Sequence, residues 1–459
     1  MIVANPIDIP EIRALVATFI SRSDAISCSL VCKAWCQDFT ARIWYSIQSI
    51  DCHLYKGFEK LDPSIISKHG SLIRKVDHIS GEDFSALRHP SIKNLSKLYI
   101  ILNSISRSWI VDLLRQNRNT IKELWLVDCG PDPHMGFLNF ADALIPRTYP
   151  YMSNLTLLSL SYTRMTRESF SELLSACPQL SRVNLCECVF EQGFIAEPVK
   201  NYHVSCLNTS YMQALSSLLS PSILEHFPNL RRLVIKSGKA DLLDFDASEI
   251  WDDLKKYCPS IDHIDFKSAP GAVVHKFLTT AFSSLSAATF SCSTFTPEVV
   301  PRLLFHKDSL KYVRTRAIWD LHDEYSDDRL PCLSLAERNL RPELSWALQV
   351  LTMNCQNLEK IILPELETEM DHVERFPWIC KNLSHLAIRI DGLDTKESIL
   401  EVIEIWRKAR LARRKGDLSE LDTIINSCNS MTIKDRAARH LLQFEKLDTL
   451  WLGHKTWRA

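Results

Sequence analysis

Residues 169–185 read SFSELLSACPQLSRVNL. Ser169 to Ala176 is a helix that finishes at Cys177-Pro178, because proline cannot continue it. The chain then turns into Leu180-Val183-Leu185, an LxxLxL strand, and the small apolar Cys177 suits the narrow space between helix and strand. One helix and one strand cannot bury their own apolar faces. Such a unit is stable only when stacked on copies of itself.

The copies are present. LxxLxL recurs as Leu95-Leu98-Ile100, Ile121-Leu124-Leu126, Leu155-Leu158-Leu160, Leu230-Leu233-Ile235, Ile261-Ile264-Phe266 and Leu285-Ala288-Phe290. It continues as a degenerate Leu310-Val313-Thr315, then Leu358-Ile361-Leu363, Leu383-Leu386-Ile388 and Leu447-Leu450-Leu452. Ile73-Val76-His78 reads as a worn first copy. Single steps of 26, 34, 25, 31, 24, 25 and again 25 residues separate neighbouring anchors. They cluster near the leucine-rich repeat period of about 20–29 residues. The intervals 180–230 and 310–358 are about twice the unit, so each is expected to hide one divergent repeat. Phe227-Pro228, Cys258-Pro259, Cys355 and Cys380 repeat the preface seen at Cys177-Pro178.

The expected fold is therefore α/β: a solenoid with parallel strands on its concave face and helices on its convex face. Its anchors stack rung upon rung, each buried Leu or Ile contributing about 1.5–3 kcal/mol. A non-repeat α/β or all-helical fold is the competing reading. Side chains alternate along a strand, so the residue between the second and third anchors faces the concave side. These positions include Tyr99, Trp125, Asp265, Arg314 and Trp451; Arg232, Lys267 and Arg316 neighbour them. These eight are the candidate target-binding residues, the aromatics as anchors and the cations as a band for an acidic or phosphorylated peptide. Solvated strand ends are the plainer alternative for the cations.

Before the array, residues 9–44 read IPEIRALVATFISRSDAISCSLVCKAWCQDFTARIW. Ile12, Leu15, Val16, Phe19 and Ile20 fall on one helical face opened by Pro10. Ser23-Asp24 is expected to cap a second helix, followed by Leu30, Val31, Ala34 and Trp35 along one side and a third apolar piece through Phe39, Ile43 and Trp44. Three short helices bury too little to stand firmly alone. The Ile9-Pro10-Glu11-Ile12 opening, the Ser29-Leu30-Val31-Cys32-Lys33 core, Trp35 and the closing Trp44 resemble an F-box. The Cys-Pro helix ends in turn resemble those of F-box leucine-rich repeat proteins. Ile9 stands where leucine is commoner in that family.

The resemblance implies a helical F-box over 1–48, beside which the sequence pattern itself sets a connector over 49–70 and a repeat array over 71–459 with an insertion at about 394–443. It further implies docking on a Skp-family adaptor, and through it on a cullin-RING ubiquitin ligase. Ile9, Pro10, Ile12, Leu15, Val16, Leu30, Val31, Cys32 and Trp35 would form the adaptor contact or the small core beneath it. The array would bind an unidentified protein target. A repeat scaffold without ligase association, with the helices merely capping the first repeat, is the alternative.

Composition narrows the rest. With 459 residues, 46% of them hydrophobic and 24% charged, the chain is globular rather than disordered. A net charge of -1 gives no reason to expect nucleic acid or an anionic membrane as partner. There is no run of about 18 apolar residues, and MIVANPIDIPEIR lacks a signal-peptide pattern, so a cytoplasmic or nuclear location is expected. Fifteen cysteines in mostly apolar patterns then read as reduced thiols.

Only 11 glycines weigh against a Gly-rich phosphate-binding fold, and the absence of phosphate-loop, H-E-x-x-H and G-x-S-x-G motifs leaves no catalytic signature, so a non-catalytic chain is expected. No cofactor is expected. Cys28, Cys32 and Cys36 with His53 lack the paired spacing of a structural zinc site. Three segments interrupt the array: a proline-rich loop at 129–150, an acidic loop at 320–332, and the insertion. The basic run 407–415 in the insertion reads as a solvated helix face, with a nuclear-import signal or nucleic-acid patch as the alternative.

Overall fold

The computed structural model describes residues 9–48, 63–80, 85–102, 107–128, 151–186, 188–191, 199–210, 221–236, 248–267, 269, 271–280, 284–291, 294–316, 345–393, 395–452 and 455–458. The chain divides into two compact units, Met1–Thr209 with Gln213–Asn229, and Ser210–Met212 with Leu230–Ala459. The proline-rich loop at 129–150, the acidic loop at 320–332, most of the connector and His53 lie outside the described residues.

The first unit opens with three helices, α1 (Pro10–Phe19), α2 (Arg22–Ser29) and α3 (Lys33–Tyr45). The last leads directly into β1 (Ser46–Gln48), which pairs in parallel with β2 (Lys75–Ser80). Parallel pairing continues through β3 (Lys97–Leu102), β4 (Glu123–Asp128), β5 (Leu157–Ser161) and β7 (Arg182–Cys186). A side pair, β6 (Arg164–Thr166) with β8 (Val189–Glu191), forms a second small sheet. Each rung is registered by a relay of backbone bonds at its entrance. Ser96 donates to Arg74, Lys122 to Ser96, Thr156 to Lys122, Ser181 to Thr156 and Ser205 to Ser181, at 2.7–2.9 Å. That last bond sets β9 (Cys206–Ser210), the divergent repeat expected in the interval 180–230.

The second unit runs the same way. Its strands are β10 (Arg232–Lys236), β11 (His263–Lys267), β12 (Ala287–Ser291), β13 (Tyr312–Arg316), β14 (Lys360–Thr368), β15 (His385–Ile390) and β16 (Thr449–Leu452), all parallel. The final strand, β17 (Lys455–Arg458), turns back antiparallel on β16. β13 pairs directly with β14, Tyr312 opposite Lys360. No strand therefore stands between β13 and β14 for the divergent repeat expected between 310 and 358.

All eleven LxxLxL copies lie at a strand. Leu98, Leu124, Leu158, Val183, Leu233, Ile264, Ala288, Val313, Ile361, Leu386 and Leu450 are almost wholly buried, as is Val76 of the worn copy. The prefaces are buried with them. Cys177, Cys258, Cys355 and Cys380 have no exposure, and burial pushes each thiol up to about 12. A thiol held protonated is a small apolar filler rather than a nucleophile.

The insertion between β15 and β16 is three helices, Lys396–Lys415, Leu418–Ser427 and Ile433–Leu442. Thr395, Asp417 and Thr432 cap them, each accepting from the backbone N–H three residues on. The first buries Ile399, Val402, Ile403, Trp406, Ala409 and Ala412. The basic run is the end of this helix, and part of it is engaged: Arg410 donates to the Asp448 carbonyl at 2.8 Å and Arg413 bonds the Leu442 carbonyl.

Candidate functional site

Two surfaces are the candidates. The first is the N-terminal helical motif. Its own core is Ala17, Ala25 and Phe39, with Val16, Ile20, Cys28, Trp35 and Ile43 packed around them. Arg13 pairs with Asp38, and the Arg42 guanidinium donates twice to the Ile20 carbonyl at 3.1 and 2.9 Å, tying α3 to the end of α1. The cap of α2 is Ser21, accepting from the Asp24 amide at 3.1 Å, two residues earlier than Ser23. Ser21 takes the cap because its hydroxyl also reaches the Asp24 carboxylate, 2.7 Å away.

This motif is fastened to the array behind it. Trp44 stacks on His69 at 5.0 Å with ring planes 6° apart, Arg74 donates to the Tyr45 carbonyl at 2.9 Å, and Ile47 is buried in the first rung. Burial under the indole, with Lys68 adding to it, lowers the His69 pKa.

The apolar face of α1 is split. Val16, Ala17 and Ile20 turn inward, whereas Ile12, Leu15 and Phe19 point to solvent. Ala34 is also exposed, and Leu30 and Val31 occupy the turn after α2 instead of lining a helix side. Phe19 and Leu30 each keep 81% of their surface open, and Ile9, Leu15, Ile26 and Val31 are exposed as well. Among the nine motif residues singled out from sequence, Val16 and Trp35 are packed into the core. Ile9, Pro10, Ile12, Leu15, Leu30, Val31 and Cys32 are exposed. Phe19 and Ile26 enlarge this set; the i, i+4 spacing of Leu15 and Phe19 was the signal for the first.

The second surface is the ladder face opposite the buried anchors. In the first unit Tyr99 stands beside Trp125 in register, their rings stacked at 5.9 Å and 24°, both half-buried. Lys97 bonds the buried Asp77 at 2.9 Å one rung over. In the second unit Arg232 donates to the fully buried Asp265 at 3.2 Å. Ile362, Ala387 and Trp451 form an apolar cluster on this same face, with Tyr312 packed against it. His263 meets the Tyr312 ring edge-on at 6.3 Å.

The strand alternation places Tyr99, Trp125, Asp265, Arg314 and Trp451 on this face, but not all as open contact residues. Asp265, Lys267, Arg314 and Trp451 are buried, at 0, 6, 4 and 4% exposure. Parallel rungs stand about 4.8 Å apart, so long side chains in one row cover their neighbours. Tyr99, Trp125 and Arg232 remain partly accessible. The Arg316 side chain lies outside the described ones. Among the described residues no group of three or more His, Cys, Asp or Glu side chains forms a metal site, and no helix is long and apolar enough to cross a membrane.

Eleven anchors at a repeating interval, each set into a parallel strand paired with the next within its unit, decide the architecture. The fold is an α/β solenoid of the leucine-rich repeat type. No family model and no curated protein matches the chain. Similar solved structures include the leucine-rich repeat-containing protein LegL7 of Legionella pneumophila, with a TM-score of 0.35 and 12% identity, over 64% of this chain and 91% of that one. They also include the Rad7 and Elc1 complex of yeast, with a TM-score of 0.33 and 15% identity, over 83% of this chain and 88% of that one.

Proposed function

We propose that this protein is a substrate-recognition subunit of an SCF-type ubiquitin ligase. The F-box-like helices dock a Skp-family adaptor, the repeat array captures a target protein, and the adaptor links both to a cullin-RING ligase. The observation that carries the reading is the exposed apolar set Ile12, Leu15, Phe19, Leu30 and Val31 on a motif whose own core is built on only three buried residues, Ala17, Ala25 and Phe39. An exposed cluster of this kind marks an interaction site. The adaptor's apolar surface would cover it.

In this role the chain performs no bond chemistry. It raises the effective concentration of a target lysine near the ubiquitin-charged conjugating enzyme, so affinity and geometry replace catalytic groups. The Arg74–Tyr45 backbone bond and the Trp44–His69 stack hold the docking helices in a fixed relation to the first repeats, which suits that role. The partly accessible Tyr99–Trp125 pair is the best-placed aromatic anchor for a target on the ladder face.

The test is co-purification with a Skp-family adaptor. Phe19→Asp with Leu30→Asp changes only exposed side chains, so the fold should survive with an unchanged melting temperature while adaptor recovery falls at least tenfold. Wild-type protein that recovers no adaptor would leave a repeat scaffold without ligase association as the function.

A further inference from the structure

On the ladder face of the second unit, one row reads Asp265, Thr289, Arg314, Ile362 in consecutive registered strands. The charges in this row are unevenly met. Asp265 is matched by Arg232. Arg314, at 4% exposure, has no carboxylate within ion-pairing distance among the described residues, and its buried Nε has no hydrogen-bond partner there. Thr289, directly beside it in register, is fully buried, and its Oγ1 likewise lacks a partner among the described residues.

A buried guanidinium without a counter-charge is costly, and a buried hydroxyl without a bond adds to that cost. Such groups are retained where something else completes them. Guanidinium and hydroxyl together present only what an oxyanion needs: a fixed positive fork and a donating O–H. On the other side of Arg314 the row becomes apolar, with Ile362, Ala387 and Trp451 clustered and Tyr312 against them. A peptide lying across the rungs would meet a cation and then a greasy patch.

We propose that Thr289 and Arg314 form an oxyanion subsite on the ladder face of the second unit, which takes a carboxylate or phosphate group of the captured target. This deepens the target-binding half of the proposed function and is independent of the adaptor half. The acidic group is the specificity element. Ile362, Ala387 and Trp451, packed on one another, give it an apolar flank.

The experiment is thermal unfolding of the full chain in sodium chloride, sodium acetate and sodium phosphate at equal ionic strength and pH. An anion that binds the folded state raises the melting temperature. The expected result is a rise of about 1–3 °C in acetate, phosphate or both relative to chloride. Acetate alone would assign a carboxylate and phosphate alone a phosphorylated target. Arg314→Met should abolish the rise while leaving the melting temperature in chloride equal or higher, since it removes an uncompensated buried charge. Thr289→Val should reduce the rise with the fold intact, and serves if Arg314→Met does not fold. Equal melting temperatures in all three salts, or a rise that survives both substitutions, would overturn the subsite. Neither result bears on adaptor co-purification.

Discussion

Asn117 and His306 stand four residues before the first anchor of their repeats and make the same bond. The Asn117 Oδ1 accepts from the Leu95 amide at 2.9 Å, and the His306 Nδ1 accepts from the Leu285 amide at 3.4 Å. Each thus satisfies the leading anchor of the preceding repeat. Asn117 also donates to the Ile92 and Leu113 carbonyls at 2.9 and 3.0 Å. Asn117→Leu would strand the buried Leu95 N–H and remove the bond to the Ile92 carbonyl, and should cost about 2–4 kcal/mol in urea unfolding. His306 carries a pH liability that asparagine lacks. Burial lowers its pKa from 6.5, opposed by a backbone bond to Leu278. The unfolded chain then binds a proton that the folded chain refuses, so stability is full above pH 6.5 and falls as pH drops below it. Between pH 7.5 and 5.5, His306→Asn should lose less stability than wild type, by up to about 1 kcal/mol. Parallel curves would show that the ring is not held neutral. The anchors were legible in the sequence because the same residue class recurs at a fixed interval. The stitch was not, because asparagine and histidine share only an acceptor at the right place.

At the scale of elements, the insertion shows which signals sequence carries well. The stripe Ile399, Val402, Ile403 and Trp406 marked its first helix correctly, since a buried helix face has to repeat with the helical period. The cap of α2 was misplaced because Ser21 and Ser23 are equivalent by type, and only the reach of Ser21 to Asp24 separates them. The split face of α1 was hidden for a related reason: periodicity groups residues on one side of a helix without saying whether protein or solvent lies there. Two glycines in this region make a paired prediction. Gly416 ends the long helix at φ 72°, where an added Cβ would meet nothing within 4 Å. Gly392 turns the chain after β15 at φ 78°, where a Cβ would come within 2.5 Å of the Ile433 Cδ1. Gly416→Ala should therefore cost about 1–2 kcal/mol from backbone strain alone. Gly392→Ala should cost more, because Ile433 must also move. Urea midpoints that rank the two in the opposite order would contradict this account.

At the scale of the whole molecule, repeat count was legible only where the interval held a strand. The double step 180–230 holds β9, whereas β13 and β14 are bonded directly to each other, with no strand between them in the ladder. Length alone cannot distinguish a degenerate repeat from an excursion, since a longer connection adds little closure entropy. A ladder of parallel strands also raises a problem its repeats cannot solve: its last strand offers unpaired backbone groups to any other chain. In the second unit β17 answers it. Reversing direction, it places Arg458 opposite Thr449, Trp457 opposite Leu450 and Lys455 opposite Leu452, so backbone bonds on β16 are met and the new edge strand carries a lysine and an arginine in its sequence. Charges on an edge strand discourage further pairing. Removing residues 453–459 should leave the remaining repeats helical and β-rich by circular dichroism but expose the β16 edge beside Trp451. Size-exclusion chromatography with light scattering should then show mass rising with concentration where the full chain stays constant. Replacing Lys455 and Arg458 with threonine should produce a weaker form of the same association, because pairing is kept while charge repulsion is lost. A truncated chain that remained monomeric across that range would mean that β16 needs no cover and that β17 serves some purpose other than closing the ladder.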